Sequence, residues 1–475
     1  MDVPSESQTR EKAGWPMTRR IYLICKLPPE TVAVTFAKTS RSPEPFDIIA
    51  EGLTDKKSAE FHERWVVGYG HSSVAEHAVL HIALEDISIA AAKAIEENRL
   101  SSFTEKSTRY QVYDPERFFR PPAVIESGLG EKYVRSMQQL MRLYIEGIEQ
   151  TVAWHQQYLT REKDETDRAF AGRCRAKSCD LMRYFLPAGT LTNLGWTVNA
   201  RVLEYAISKL LISPLNELRD IGNEIKEVAC DHVPTLVKYA QPNEYLAHCG
   251  IPSQQLPPEL PEEQIVAHNA LGENEVRLVN YDPAAEDKVI AALAYPRARG
   301  DYEHLLAWVR SLSVNEKDSL LQAAIGSPRS FDAGPRALEA ISYTFEITID
   351  YGAWRDIQRH RMCTQLLQEF SPDLGYAEPK EFGRIGLSKT YRQAREVAME
   401  TYRQMTMQFP ADAKYVLPLG YRVRTIFIMN LREAFHFVRL RSSPHGHQSY
   451  RRVAVKLWDQ IAKVHPLLAR HLRAC

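Results

Sequence analysis

The sequence predicts an α+β fold built from two related domains in tandem, each helix-rich with a small sheet. Three observations predict it. A block recurs with fixed spacing: Leu186-Pro187, eleven residues, Asn199-Ala200-Arg201, and later Leu417-Pro418, eleven residues, Asn430-Leu431-Arg432. In each half an alternating apolar pattern runs directly into a helix whose end carries a polar cluster. Between the halves, Gln241 to Glu263 is rich in proline and acidic residues, including Leu256-Pro257-Pro258-Glu259-Leu260-Pro261-Glu262, as a linker would be. A repeat of about half the chain is far longer than a solenoid unit, so two domains are implied and not an array. The expected organisation is an N-terminal arm over 1–20, a first domain over 21–240, a linker over 241–265 and a second domain over 266–475.

Taken in order, Val32, Val34 and Phe36 alternate as a strand, and Lys56 to Tyr69 follows with helical spacing of Phe61, Trp65 and Val66 until glycines 68 and 70 stop it. His77 to Ile87 reads as a strand, with an alanine-rich helix over Ile89 to Asn98. Helical patterns then cover Lys132 to Leu159, Asp164 to Phe185, and Asn199 as far as Val233. In the second half, Val276 to Tyr281 reads as a strand, Ala285 to Leu293 and Tyr302 to Leu312 as helices. Ile341 to Ile349 alternates with Tyr343, Phe345, Ile347 and Ile349 on one face, and a cationic helix follows it.

Composition narrows the function classes. The 475 residues suffice for two to three domains with sizeable cores. Sixty basic and sixty acidic residues cancel, so net charge does not favour nucleic acid or an anionic membrane surface. No run approaches the roughly 18 to 20 apolar residues that span a bilayer. The polar stretch from Met1 to Arg20 lacks the apolar core of a secretion signal. Seven scattered cysteines without a C-x-x-C fit a reducing cytoplasm better than a disulfide framework or a zinc site. His77 and His81 would share a face of the strand, but with no H-E-x-x-H motif no metal site is expected.

The polar clusters differ between the halves. The second half has Arg355-Asp356-Ile357-Gln358-Arg359-His360-Arg361, with Arg355 and Arg359 four apart on one helix face. The first half has Glu96-Glu97-Asn98-Arg99 and then Glu105-Lys106-Ser107-Thr108-Arg109-Tyr110. Alone, an R-x-x-x-R-H-R helix is ordinarily a solvated face or a set of salt-bridging arginines. One motif divided between two copies of a fold is most simply read as one composite site.

These residues resemble the flavin-dependent thymidylate synthases, the ThyX family. Gly70-His71-Ser72-Ser73-Val74-Ala75-Glu76-His77 matches the family's G-H-x-(S/T)-x-x-E-H segment. Trp196-Thr197-Val198-Asn199-Ala200-Arg201 matches its L-P…W-T-V-N-A-R helix, and Arg359-His360-Arg361 its RHR motif. The resemblance runs from about Val32 to Leu472. It implies FAD as cofactor, bound by His71, Ser73, Glu76, Asn199, Arg201, Arg359, His360, Arg361, Asn430, Arg432 and His436. It implies a deoxyuridylate-type nucleotide held by Glu105, Ser107, Arg109, Arg359 and Arg424, with Arg441 as the catalytic arginine that steadies charge building on the base. NADPH and methylenetetrahydrofolate would be co-substrates.

Departures from the family pattern are complementary. The first half has Glu97 and Asn98 in place of the arginine and histidine of RHR, and Asn193 and Leu210 where the second has Arg424 and Arg441. The second half lacks the serine-arginine cradle, with Leu367, Glu369 and Ser371 there. Asp356 stands where the family often has a neutral glutamine. The leading expectation is a thymidylate synthase-like enzyme with a composite site, acting on a small nucleotide and a folate, with no nucleic acid or membrane partner. A homodimer of the chain would then stand in for the family's homotetramer. A diverged flavoenzyme acting on another nucleotide and a catalytically silent flavin- or nucleotide-binding protein stay open as rivals.

Overall fold

The computed structural model describes residues 20–24, 26–69, 71–249, 251, 275–326, 328–329 and 332–471. All but Arg20 of the arm expected over 1–20 and most of the linker expected over 241–265 lie outside the described residues, as does Gly70.

Each half carries one small antiparallel sheet. The first is ordered β1 (Val79–Ser88), β3 (Leu191–Asn199), β2 (Ser101–Glu105). The second is ordered β4 (Glu275–Asn280), β5 (Ser342–Asp350), β7 (Arg422–Asn430), β6 (Thr364–Leu367). Apart from the added edge strand β4, the two sheets have one topology, with β1, β2 and β3 answering to β5, β6 and β7. The inward face of β5 is the predicted one: Tyr343, Phe345, Ile347 and Ile349 are all buried.

The strand-to-helix junctions are fixed by caps. Ser88 accepts from the Ala91 N–H and Asp350 from the Ala353 N–H, starting the Ile89–Ile95 and Tyr351–Ile357 helices. The asparagine of each N-x-R block does the same: Asn199 accepts from Val202 N–H and Asn430 from Glu433 N–H, starting Ala200–Leu211 and Leu431–Arg441. Their recurrence at fixed spacing therefore has a structural cause worth about 1 kcal/mol each.

Several sequence expectations are corrected. Val32, Val34 and Phe36 lie on the helix Pro29–Lys38 and not on a strand; Pro29 presets the first turn, and Ala33 and Val34 bury one face of it. The W-T-V-N-A-R segment is mainly strand, with Trp196 to Asn199 closing β3 and only Ala200-Arg201 opening the helix. The helix expected from Asn199 to Val233 breaks into Ala200–Leu211 and Asn216–Cys230, interrupted at Pro214. His77 closes a 3₁₀ turn, Ser72–His77, and so does not share a strand face with His81.

The two halves join through their Leu-Pro blocks. Ala188 N–H donates to Leu417 O at 2.9 Å, and Leu419 N–H donates to Leu186 O at 2.8 Å. One step out, Gly189 N–H meets Tyr415 O at 2.8 Å, and Gly420 N–H meets Tyr184 O at 3.2 Å. Each bond has a mate with the halves exchanged, the signature of a two-fold, isologous contact, here within one chain. Both glycines are needed for the close approach. A Cβ on Gly189 would lie 3.0 Å from Tyr415 O, and one on Gly420 3.1 Å from Tyr184 O. The helix pair Gly130–Tyr158 and Ser388–Thr406 packs across the same pseudo-dyad, with a buried Ser136–Thr401 hydroxyl contact at 2.7 Å. Only the first half then adds a further long helix before its Leu-Pro block, Asp167–Met182; among the described residues the second half has just a 3₁₀ turn, Asp412–Val416.

Candidate functional site between the two halves

The short helices Ile89–Ile95 and Tyr351–Ile357 present equivalent cations, Lys93 and Arg355, to one buried carboxylate, Glu105 at the end of β2. Lys93 Nζ lies 2.9 Å and Arg355 Nη2 2.6 Å from its two oxygens, and Arg359 Nη2 3.5 Å away. The helix ends at Ile357, so Arg359 reaches Glu105 from the turn beyond it and not from the helix face it was expected to share with Arg355. Lys93 also pairs with Glu96. Burial works to raise the Glu105 pKa, but Arg355 and Lys93 outweigh it and hold the group down at about 2.

A second cluster adjoins the first. Arg109 donates from Nε to Asp180 at 2.6 Å, from Nη1 to Tyr450 Oη at 3.1 Å and from Nη2 to His445 O at 3.1 Å. Arg183, at 1% exposure, donates to Asp356 at 2.8 Å. Its Nε and Nη2 are buried without a partner among the described residues. Asp356 is held well below the usual carboxylate range: burial opposes ionisation, but Arg183 and then Arg441 overcome it. Arg441 donates to Asp356 O at 2.5 Å and to His360 Nε2 at 2.9 Å, and its guanidinium lies 5.3 Å from the Tyr450 ring. That ring is also 5.9 Å from the Arg109 guanidinium, so one tyrosine lies near an arginine from each half. Across both clusters, six cations (Lys93, Arg109, Arg183, Arg355, Arg359, Arg441) meet four carboxylates (Glu96, Glu105, Asp180, Asp356). Asp350 and Glu433 add negative charge beside Arg183 and Arg441, and what the cluster offers an anion is a set of converging guanidinium donors from both halves.

His360 is buried, with Nδ1 2.7 Å from Glu433 Oε1 and Nε2 facing Arg441. Burial, then Arg441 and His436, push its pKa well below the ordinary imidazole value. Beyond Glu433 lies a cavity of about 630 Å³ whose walls include Asn430, Arg432, Phe435, His436 and Met362. Arg432 pairs with Glu339 at 2.6 Å in its wall.

The structure therefore brings Glu105, Arg109, Arg359, His360 and Arg441 together from opposite halves, and gathers Asn430, Arg432 and His436 around the cavity. Ser107 sits at the cluster's edge, its Oγ accepting from Arg109 N–H at 3.2 Å. Arg361 reaches Arg99 O at 3.4 Å. Arg424, on β7 opposite Thr348, is tied to the cluster by no side-chain contact among the described residues, and its Nε is buried without a partner. His71, Ser73, Glu76, Asn199 and Arg201 form a separate group in the first half, where Glu76 pairs with Arg201 as Glu339 pairs with Arg432. No hydrogen bond or ion pair among the described residues joins that group to the cavity of the second half. Sequence reasoning missed Lys93, Asp180, Arg183, Glu433 and Tyr450. Arg183 carried a usable signal, standing three residues before the first Leu-Pro as Lys414 stands before the second. Among the described residues no three His, Cys, Asp or Glu side chains are arranged to hold a metal, and no helix is long and apolar enough to cross a membrane.

Two sheet-bearing halves paired about a pseudo-dyad, with an arginine-rich cluster between them, define a fused pair of related α+β domains. The sequence profile described as thymidylate synthase complementing protein (Thy1) matches residues 22–235 and again 277–467, and the chain belongs to that family. It is similar to a UPF0159 protein of Chlamydia muridarum, 30% identical over 95% of this chain and 91% of that one, and to a second from Chlamydia pneumoniae at 31% over the same shares. A flavin-dependent thymidylate synthase of Clostridium tetani is 24% identical over 46% of this chain and 86% of its own length, so the match spans about one half of this chain.

Proposed function

We propose that this chain is a flavin-dependent thymidylate synthase-type enzyme that methylates deoxyuridylate, with methylenetetrahydrofolate as carbon donor and FAD and NADPH supplying reducing equivalents. The reading rests on one observation: Arg109 of the first half converges with Arg359 and Arg441 of the second on one cluster, at positions that the family resemblance gives to the nucleotide. In this reading Arg109, Arg183 and Arg359 neutralise the phosphate, and Arg441, backed by Tyr450, faces the base to steady negative charge as its carbon becomes nucleophilic. Ser107 completes the phosphate cradle, and Arg424 joins from β7.

The cavity of about 630 Å³ fits part of a flavin: apolar walls from Phe435 and Met362 suit a ring system, and Arg432 and His436 suit its polar edge or phosphates. Asn430, Arg432, His436 and Arg361 would hold it, with reduced flavin supplying the electrons that finish the methyl group. His71, Ser73, Glu76, Asn199 and Arg201 would contribute from a second chain, which motivates a homodimer. The domains are proposed at 21–240 and 266–475, and the free cysteines at 174, 179, 230, 249 and 363 are in keeping with a cytoplasmic enzyme.

One observation favours the rival of a diverged flavoenzyme: Asp180 and Asp356 already engage Arg109 and Arg183. The deciding experiment is an absorption spectrum of the purified chain, with FAD titrated in, followed by NADPH oxidation with and without deoxyuridylate. Nucleotide-stimulated oxidation with thymidylate formed is the expected outcome. Flavin bound with no response to deoxyuridylate hands the case to the diverged enzyme, and no flavin at all to a silent binding protein.

A further inference from the structure

We propose that His360 is a positioning residue for Arg441, the middle of a Glu433–His360–Arg441 relay that links the wall of the cavity to the interdomain cluster. The inference deepens the proposed function, since it rests on Arg441 being the arginine that faces the nucleotide base. It departs from the flavin-ligand role that the family resemblance implies for this histidine.

Proton bookkeeping fixes the relay. A guanidinium nitrogen only donates, so Arg441 Nε, 2.9 Å from His360 Nε2, requires a lone pair on that ring nitrogen. The ring proton then sits on Nδ1 and points at Glu433 Oε1, 2.7 Å away. Both ring nitrogens are spent within the protein, and the ring is packed 4.7 Å from Phe437 with 4% of the residue exposed. Nothing is left over with which His360 can hold a flavin.

Its neighbours fix it at both ends. Glu433 lies in the first turn of Leu431–Arg441, its N–H capped by Asn430, and it lines the cavity. Arg441 closes the same helix and is held at its other end by Asp356 O at 2.5 Å. Two hydrogen bonds that the guanidinium donates, one to the ring nitrogen and one to a backbone carbonyl, therefore set its plane. A fixed plane is what two parallel bonds to a planar base require. In the first half the corresponding positions are Asn98, which bonds back to Ile95 O, and Leu210: the relay and the arginine it serves are lost together.

Two substitutions separate the roles. An asparagine amide reaches about as far as Nδ1, a glutamine amide about as far as Nε2. His360→Asn keeps a donor toward Glu433 and loses the acceptor for Arg441, whereas His360→Gln restores that acceptor. In the intact chain, His360→Asn is expected to leave FAD affinity within about twofold while weakening deoxyuridylate binding and lowering turnover by roughly tenfold, the size of one charge-assisted hydrogen bond. His360→Gln is expected to recover most of both. A tenfold loss of FAD affinity in both variants, with nucleotide binding unchanged, would make His360 a flavin ligand and overturn the proposal. A readout independent of turnover is the ¹⁵N-edited signal of the Arg441 Nε–H, assigned by its disappearance in Arg441→Lys. It is expected to be slow to exchange in the native chain and in His360→Gln, and lost in His360→Asn. If native protein lacks deoxyuridylate turnover yet shows that pattern, the proposed function fails and the relay stands. If the signal is equally protected in all three proteins, the relay is wrong whatever the substrate.

Discussion

On one side of the pseudo-dyad, the end of the helix Tyr351–Ile357 and the turn after it bring Asp356 against Arg183 and Arg359 against Glu105 of the first half, and His360 against Arg441. The equivalent positions on the other side hold Ala94, Glu97 and Asn98 from the first half, with Leu367 and Lys414 from the second. The backbones correspond bond for bond at the Leu-Pro contact, yet only one side collects cations around buried carboxylates. Glu97 instead pairs with Lys209 in an exposed contact at 2.5 Å. The difference teaches that the backbone contact holding the halves together does not depend on the side chains that could bind an anion. One copy of a symmetric site can lose its chemistry while its backbone still serves as scaffold for the other.

The largest expected effect breaks the interface under the charged side. Glu105→Ala strips the shared partner from Lys93 and Arg355, both buried, and is expected to cost roughly 3–5 kcal/mol in chemical denaturation. Because the folded pKa of Glu105 is depressed from 4.5 to about 2, its contribution is fully present above about 4.5 and fades as pH falls toward 2. Glu105→Gln should accordingly flatten the acid limb of the stability curve; an unchanged limb would mean Glu105 carries no such linkage.

Next in size, Arg441→Ala is expected to lower turnover by roughly a hundredfold or more while FAD binding persists. Retention of native deoxyuridylate turnover would remove Arg441 from the chemistry. Smaller again, Arg109→Ala should weaken nucleotide binding by roughly tenfold although it changes only the first half. That result would sharpen the comparison, since the second half alone supplies Arg359 and Arg441. Smallest is Glu97→Ala on the opposite side, expected to change stability by less than about 1 kcal/mol and activity not at all.

Much of this arrangement was legible in the sequence. The duplicated Leu-Pro…Asn-x-Arg block announced two related halves, and the Tyr343 to Ile349 alternation gave the face of β5. The four-residue spacing of Arg355 and Arg359 suggested a shared helix face, whereas the helix ends at Ile357 and Arg359 meets Glu105 from the following turn. What was not legible follows from tertiary pairing. β2 and β6 are short edge strands defined by register against β3 and β7 and not by their own alternation. Pro29–Lys38 has a strand-like composition, and burial of Ala33 and Val34 against neighbouring helices decides for helix. Asp180 and Arg183 sit on the helix Asp167–Met182 and the turn after it, a stretch without a long helical counterpart in the second half, so the repeat could not point to them. Asp356 was legible only as a charge where the family often has a neutral glutamine, because its partner, Arg183, is far away in sequence and reaches it only across the pseudo-dyad.

The central claim is one composite nucleotide site per chain, formed by both halves. Calorimetric titration of the FAD-loaded chain with deoxyuridylate tests it most directly, run on the native protein and on Arg109→Ala. The account predicts one nucleotide per chain, with affinity falling roughly tenfold when the first-half arginine is removed. Two nucleotides per chain, or one bound with undiminished affinity by Arg109→Ala, would contradict it.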